Sequence, residues 1–255
     1  MRILLTLFFV WGSLAAAQAN EQEGMDFLLA HMPAKDKKQL SRDFLAEQVR
    51  LAYQVKDEVP WGKQIPEDIF LNDVLPYASV NERRDNWRQD FHDRFIKTAQ
   101  ESKTIDATVR ALNNQVFKDL NVSYDPTKRP KAEQSPYESM KAHYASCTGL
   151  SILLVDALRS MGIPARIAGI AMWPDNSGNH TWVEFWDGRW RYIGAAEPTE
   201  IDQTWFSTKA ATTDDKHPIY ATSFKATGRY FPMRWAHRNK TVPAVDVTKN
   251  YTLTH

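Results

Sequence analysis

The sequence has one cysteine, Cys147, in 255 residues. A single thiol excludes any disulfide within the chain and any Cys-x-x-Cys pair for zinc or dithiol redox chemistry. There is no His-x-x-x-His pair, Gly-x-Ser-x-Gly elbow, Walker loop or dinucleotide fingerprint. The sequence therefore predicts no metal and no cofactor. An excess of one charge is also missing: 32 Lys and Arg stand against 31 Asp and Glu, a formal +1. Such a balance gives no case for nucleic acid or an anionic membrane surface as partner. Beyond the N-terminus no apolar run is long enough to span a bilayer.

What is present includes 43% apolar residues, 12% of the chain being aromatic, enough to build a proper core. Residues 1–19 read as a secretory signal, with Arg2 as the charge, Ile3 to Trp11 as the apolar run and Ala17-Gln18-Ala19 as the cleavage site. Removing them takes away Arg2 and no acid, so the remaining charges balance. The expected setting is secreted or periplasmic, with cleavage after Ala19 and no membrane contact afterwards. Asn-x-Ser/Thr sequons occur at Asn121, Asn179, Asn239 and Asn250. The one at Asn179 adjoins His180, where a glycan would obstruct a site, so a bacterial setting is favoured over a glycosylating one.

Residues 20–130 read as a helical region. A surface helix is predicted over 36–57 from Leu40, Phe44, Leu45, Val49, Ala52 and Val55. Ser79-Val80-Asn81-Glu82 has the form of a capping box, and behind it Trp87, Phe91 and Phe95 recur every four residues as a core stripe. Ile105, Val109, Leu112, Val116 and Leu120 predict a further helix. Tyr124 to Pro136 reads as a linker, and Ser135-Pro136-Tyr137-Glu138 as a helix start.

Residues 131–255 change period. A helix from Cys147 carries Leu150, Leu153, Leu154, Ala157, Leu158 and Met161 on one face and stops at Gly162-Ile163-Pro164. Strands are predicted over 165–173, 180–186 and 189–195, the last two joined at Asp187-Gly188, with further strands at 219–224, 230–235 and 242–247. Helices followed by an antiparallel sheet give an α+β fold class.

An unpaired cysteine in an exported chain leaves an intermolecular disulfide, an inert buried thiol or a reactive one. A helix N-terminus and a nearby imidazole are the two devices that would make it a thiolate, and His180 could supply the second. Helix and strand patterns do not choose among these readings.

Ser146-Cys147-Thr148-Gly149, the phrase from Leu158-Arg159 to Gly162-Ile163-Pro164-Ala165-Arg166, and His180-Thr181-Trp182-Val183-Glu184 together resemble the transglutaminase-like superfamily, over roughly residues 135–200. The resemblance implies a papain-like α+β core and a Cys-His-Asp triad, with Cys147 as nucleophile and His180 as general base and then general acid. The third member departs from the family pattern. An aspartate is expected after the second hairpin strand, where this chain has Gly194-Ala195-Ala196-Glu197-Pro198. Gly194 stands nearest that register, and Glu197 is the substitute carboxylate; Asp187 reads as hairpin turn and Asp175 as loop. One oxyanion donor would be the Cys147 backbone N–H, and Asn72, Trp61, Trp87 and Trp182 are open candidates for a second. The expected activity is attack on an amide or peptide bond through a cysteinyl thioester, by hydrolysis or acyl transfer. The rival expectation is an inactive relative that binds a cell-envelope or polypeptide ligand in the same cleft. A thiol oxidoreductase would lack its resolving cysteine.

Overall fold

The protein is described here by a computed structural model covering residues 18–197 and 200–252. Most of the expected signal segment, residues 1–17, and the pair Pro198-Thr199 lie outside the described residues. Helix α1 covers residues 18–31, followed by α2 (Ala34–Gln39) and α3 (Arg42–Glu58). The single helix expected over 36–57 is thus two. Leu40 leaves the helix in extended geometry, and Ser41 caps α3 by accepting the Phe44 N–H. Next come α4 (Glu67–Asp73), α5 (Arg88–Ser102) and α6 (Ile105–Asp119).

The segment Ser79–Glu82 does not cap α5. Both Glu82 carboxylate oxygens accept backbone N–H groups, from Ser79 at 2.7 Å and Val80 at 2.8 Å. Arg84 donates to the Val80 and Glu82 carbonyls. These local bonds satisfy the backbone without a helical turn, so the chain stays irregular until Trp87.

After β1 (Ser123–Tyr124), α7 (Pro136–Ala142) opens with a true capping box between Ser135 and Glu138. Its C-cap, His143, is left-handed at φ 62° and feeds β2 (Tyr144–Ala145), which pairs in parallel with β1. The linker expected from Tyr124 therefore starts as a short strand. Ser146 then caps α8 (Cys147–Ser160).

Strands β3 (Ala165–Ile170), β4 (His180–Trp186) and β5 (Trp190–Ile193) follow, then α9 (Ser207–Ala211), β6 (Ile219–Thr222), β7 (Ala244–Asp246) and α10 (Thr248–Thr252). The five strands form one antiparallel sheet in the order β5-β4-β3-β6-β7. Residues 230–235 are not a strand; Tyr230 makes only an isolated bridge to Pro243.

Helix α8 sits between layers, packed on β3 and β4 and against α3, α5 and α6. That is why every residue from Thr148 to Ser160 is buried. It stops because Gly162 adopts φ 66°, letting Ile163 N–H reach the Leu158 carbonyl at 3.0 Å. The buried arginines beside it are satisfied by main-chain carbonyls. Arg159 Nε donates to Asp73 and Ala165, and Arg88 Nη2 to Val74, Leu75 and Pro76.

Along β4 the side chains alternate. Val183 and Phe185 join the main core with α8, whereas Trp182 joins a second cluster with Trp173, Phe206 and Tyr251 on the other face. On that second face Tyr251 OH donates to Glu184 at 2.8 Å and accepts from Trp182 Nε1 at 2.8 Å, while Arg166 donates to Glu184 at 2.7 Å. These bonds fix the strand whose first residue is His180.

Candidate active site

Cys147 is the first residue of α8, free of any disulfide and half-buried. The Ser146 hydroxyl accepts the Gly149 N–H at 3.1 Å and donates to the Ala132 carbonyl, so the helix start is pinned from both sides. Two contacts hold the head of β4 against it. Thr148 Oγ1 donates to Thr181 Oγ1 at 3.2 Å, and Ser151 Oγ to the Thr181 carbonyl at 3.4 Å. His180, which faces Ile170 across the sheet, thereby sits beside the positive end of α8.

Aromatic rings orient the His180 imidazole. Trp182 stacks on it at 5.8 Å and 26°, Trp205 lies at 4.9 Å and Phe206 at 5.0 Å. Its Nε2 points to Glu197, with Oε1 at 3.6 Å, an ion-pair separation longer than a hydrogen bond. The same ring acts on the Cys147 thiol.

Burial works against charging either group, and it is overcome in both. The Cys147 thiol is held below the ordinary thiol range by its bond to His180, the imidazolium charge and the N–H groups of Thr181 and Thr148. His180 is pushed up to about 9 by the thiolate and by Glu197, again against burial. Both shifts favour thiolate and imidazolium, the form in which sulfur is a nucleophile and the ring an acid.

Glu197 reaches the histidine because Gly194 makes room. A Cβ at position 194 would stand 1.9 Å from Glu197 Oε2 and 2.3 Å from its Cδ. The glutamate carboxylate thus fills the space in which a side chain on residue 194 would begin. Ala196, left-handed at φ 63°, turns the chain so that Glu197 folds back. Trp205 Nε1 donates to Glu197 Oε1 at 2.9 Å and fixes the carboxylate.

The other weighed acids are elsewhere. Asp175 pairs with Lys209 at 2.8 Å, and Asp187 stands at the hairpin, 3.6 Å from Arg191. The candidates for a second oxyanion donor are likewise engaged away from the thiol. Trp61, Trp87 and Trp182 donate to the Met161 carbonyl, the Tyr77 carbonyl and Tyr251 OH, and Asn72 Nδ2 donates to Asp73.

Asn113 was not singled out by the sequence. From α6 its Nδ2 donates to the carbonyls of Gly194 and Glu197, both at 3.0 Å, and its Oδ1 accepts the Ala196 N–H at 2.9 Å. One amide thus holds the whole turn. The available signal was a polar residue four positions after Val109, on the apolar face of α6. Asn113→Ala should cost about 2 kcal/mol and lower Tm by ~4–8 °C, and it should slow Cys147 alkylation near neutral pH several-fold. A melting curve and an iodoacetamide time course check both; unchanged alkylation would remove Asn113 from the site.

Cys147, His180 and Glu197 open into one cleft of about 350 Å³, whose wall includes Tyr124, Leu150 and Trp205. A larger hollow of about 510 Å³, between α2 and residues 80–84, holds no nucleophile. No group of three or more metal-ligating side chains occurs among the described residues.

Residues 89–195 match the family model of the transglutaminase-like superfamily. No curated protein matches the sequence. A solved structure of a candidate cysteine protease from Cytophaga hutchinsonii is similar to this chain at a TM-score of 0.37 and 16% identity, over 64% of this chain and 58% of that one. This chain therefore spans less than two thirds of that protein's length. The matched segment begins inside α5, holds Cys147, His180 and Gly194, and ends just before Glu197. Residues 89–195, which include α8 laid on an antiparallel sheet, are similar to the transglutaminase-like superfamily.

Proposed function

We propose that the protein is an exported cysteine-dependent enzyme that attacks amide or peptide bonds and passes the acyl group to water or to an amine. The observation that carries this reading is the shared cleft in which a thiol held below its ordinary range, an imidazole raised to about 9 and a carboxylate stand in series. The Cys147 sulfur attacks the carbonyl carbon, a C–S bond forms, and the carbonyl electron pair moves to oxygen. As that pair returns, the C–N bond breaks and the His180 imidazolium gives its proton to the departing nitrogen. His180 then takes a proton from water or an amine as it attacks the thioester. Collapse breaks the C–S bond and regenerates the thiolate.

Glu197 acts through His180, holding the ring and favouring its charged form. Export rests on the signal-like residues 1–19 of the sequence.

Mixing the protein with unfolded casein, with and without a fluorescent primary amine, tests the reading by mass spectrometry. The expected result is new peptide ends or amine-tagged peptides, and an acid-trapped acyl adduct on Cys147. Absence of all three products would sink it. A non-catalytic binding cleft is the second reading, favoured by the 3.6 Å gap between His180 and Glu197. It predicts that peptides are retained without any adduct.

A further inference from the structure

The parallel pairing of β1 with β2 leaves one backbone edge free beside the thiol. Ser123 N–H donates to the His143 carbonyl at 3.0 Å, and Asp125 N–H to the Ala145 carbonyl at 3.1 Å. In such a ladder alternate residues turn their polar groups to opposite edges, so the N–H and C=O of Tyr124 face away from β2. Asp125 then ends the strand, its carboxylate accepting the N–H groups of Thr127 and Lys128. The free edge is thus one residue long, and that residue is part of the wall of the cleft holding Cys147.

The same wall is apolar. Among the described residues four large apolar side chains are exposed, and two of them, Tyr124 at 58% and Trp205 at 55%, line this cleft. Leu150, Ala195 and Ala196 add to the apolar lining, and Asn179 and Thr181 are its uncharged polar members. Glu197 and His180 are the cleft's charged side chains besides the thiolate, and they face each other. Among the described residues no lysine or arginine lines it.

We infer that the substrate is an extended polypeptide whose backbone pairs with the N–H and C=O of Tyr124 and whose apolar side chain, next to the attacked amide, packs against Tyr124 and Trp205. A residue that offers one N–H and one C=O to an extended partner recognises main chain, and the aromatic rings then select the side chain. An isolated amino acid amide lacks the neighbouring peptide groups for the pairing. A strongly acidic peptide would bring like charge to Glu197. This inference rests on the thiol-enzyme reading and narrows it to one class of substrate.

Tripeptide chloromethyl ketones provide the test, because the Cys147 sulfur displaces chloride and labelling is read by intact mass. The probes are acetyl-Ala-Phe-Ala chloromethyl ketone, its three singly N-methylated forms and the Asp analogue at the Phe position, with chloroacetone as the minimal electrophile. The expected result is labelling at least about tenfold faster than by chloroacetone, with one N-methylation removing about fivefold or more of that gain. The Asp analogue should be slower by a similar factor.

Tyr124→Ala keeps the N–H and removes the ring, whereas Tyr124→Pro removes both. The proline should be tolerated by the ladder, since the Tyr124 N–H takes no part in it. Both variants keep the residue-124 carbonyl that accepts the peptide N–H, so both should stay sensitive to N-methylation, and the proline variant, without the N–H donor, should label about fivefold or more slowly than the alanine variant. Equal rates for the parent and all three N-methylated probes, with chloroacetone still reacting fast, would overturn the docking strand and leave the thiol enzyme standing. Slow reaction with chloroacetone as well would sink the thiol reading itself, and the docking strand with it.

Discussion

His180→Ala should slow alkylation of Cys147 by iodoacetamide near neutral pH at least about tenfold and reduce acyl transfer by about a thousandfold or more. The sulfur is in a site where burial alone would favour the protonated thiol, and the histidine bond and charge reverse that. Without the ring only the Thr148 and Thr181 N–H groups and the helix end remain to favour the anion. The thiolate fraction then falls below the few per cent of an ordinary cysteine at neutral pH. Acyl transfer loses more than alkylation does, because the departing nitrogen also loses its proton donor. The rate of mass gain with iodoacetamide and the rate of peptide turnover separate the two effects. Equal reactivity of variant and parent would show that the imidazole does not activate the sulfur.

Gly194→Ala should cut turnover about ten- to a hundredfold while leaving the fold intact. Its Cβ would stand 1.9 Å from the Glu197 carboxylate, so the glutamate must swing away from His180. The three atoms nearest the added methyl all belong to Glu197. With Glu197 displaced, His180 should titrate below its raised value of about 9, nearer the ordinary 6.5.

The sign of the pH effect follows. A raised imidazole stays charged below its pKa and loses the proton as pH rises through it. The alkaline limb of the acyl-transfer profile, expected at about 9 in the parent, should therefore move toward neutrality. Glu197→Ala should do the same without any clash. In Gly194→Asp/Glu197→Ala the new side chain starts where the glutamate carboxylate was, and turnover and the alkaline limb should recover. A Gly194→Ala protein with the parent's profile would contradict the assignment of Glu197.

How much of this could be read from the sequence depended on how local the cause was. Helix α8 and its stop are written in neighbouring residues: a serine cap, an apolar stripe and a glycine that must go left-handed. Cys147 and His180 were legible for the same reason, each opening a regular element inside a phrase of known order. Glu197 was legible only as a displaced carboxylate. The room at Gly194 that lets it approach His180 exists only once the turn has folded.

Asn113 meets that turn from a helix more than eighty positions earlier, and no local pattern encodes such a contact. Tyr124 looked like the start of a linker because a two-residue strand carries no periodicity. Ser79–Glu82 has the residue types of a helix cap but serves a loop. Glu82 binds two backbone N–H groups inside a loop held by Arg84, and α5 begins only at Arg88.

The charge state of Cys147 is reported directly by the iodoacetamide alkylation rate between about pH 4 and about pH 10. A depressed thiol pKa makes the anion present above it and lost as pH falls through it. The expected profile rises below the ordinary thiol range, holds a plateau, and changes again at about 9 as His180 loses its proton. A single rise at the ordinary thiol value of 9.0, with no plateau beneath it, would contradict the thiolate–imidazolium pair.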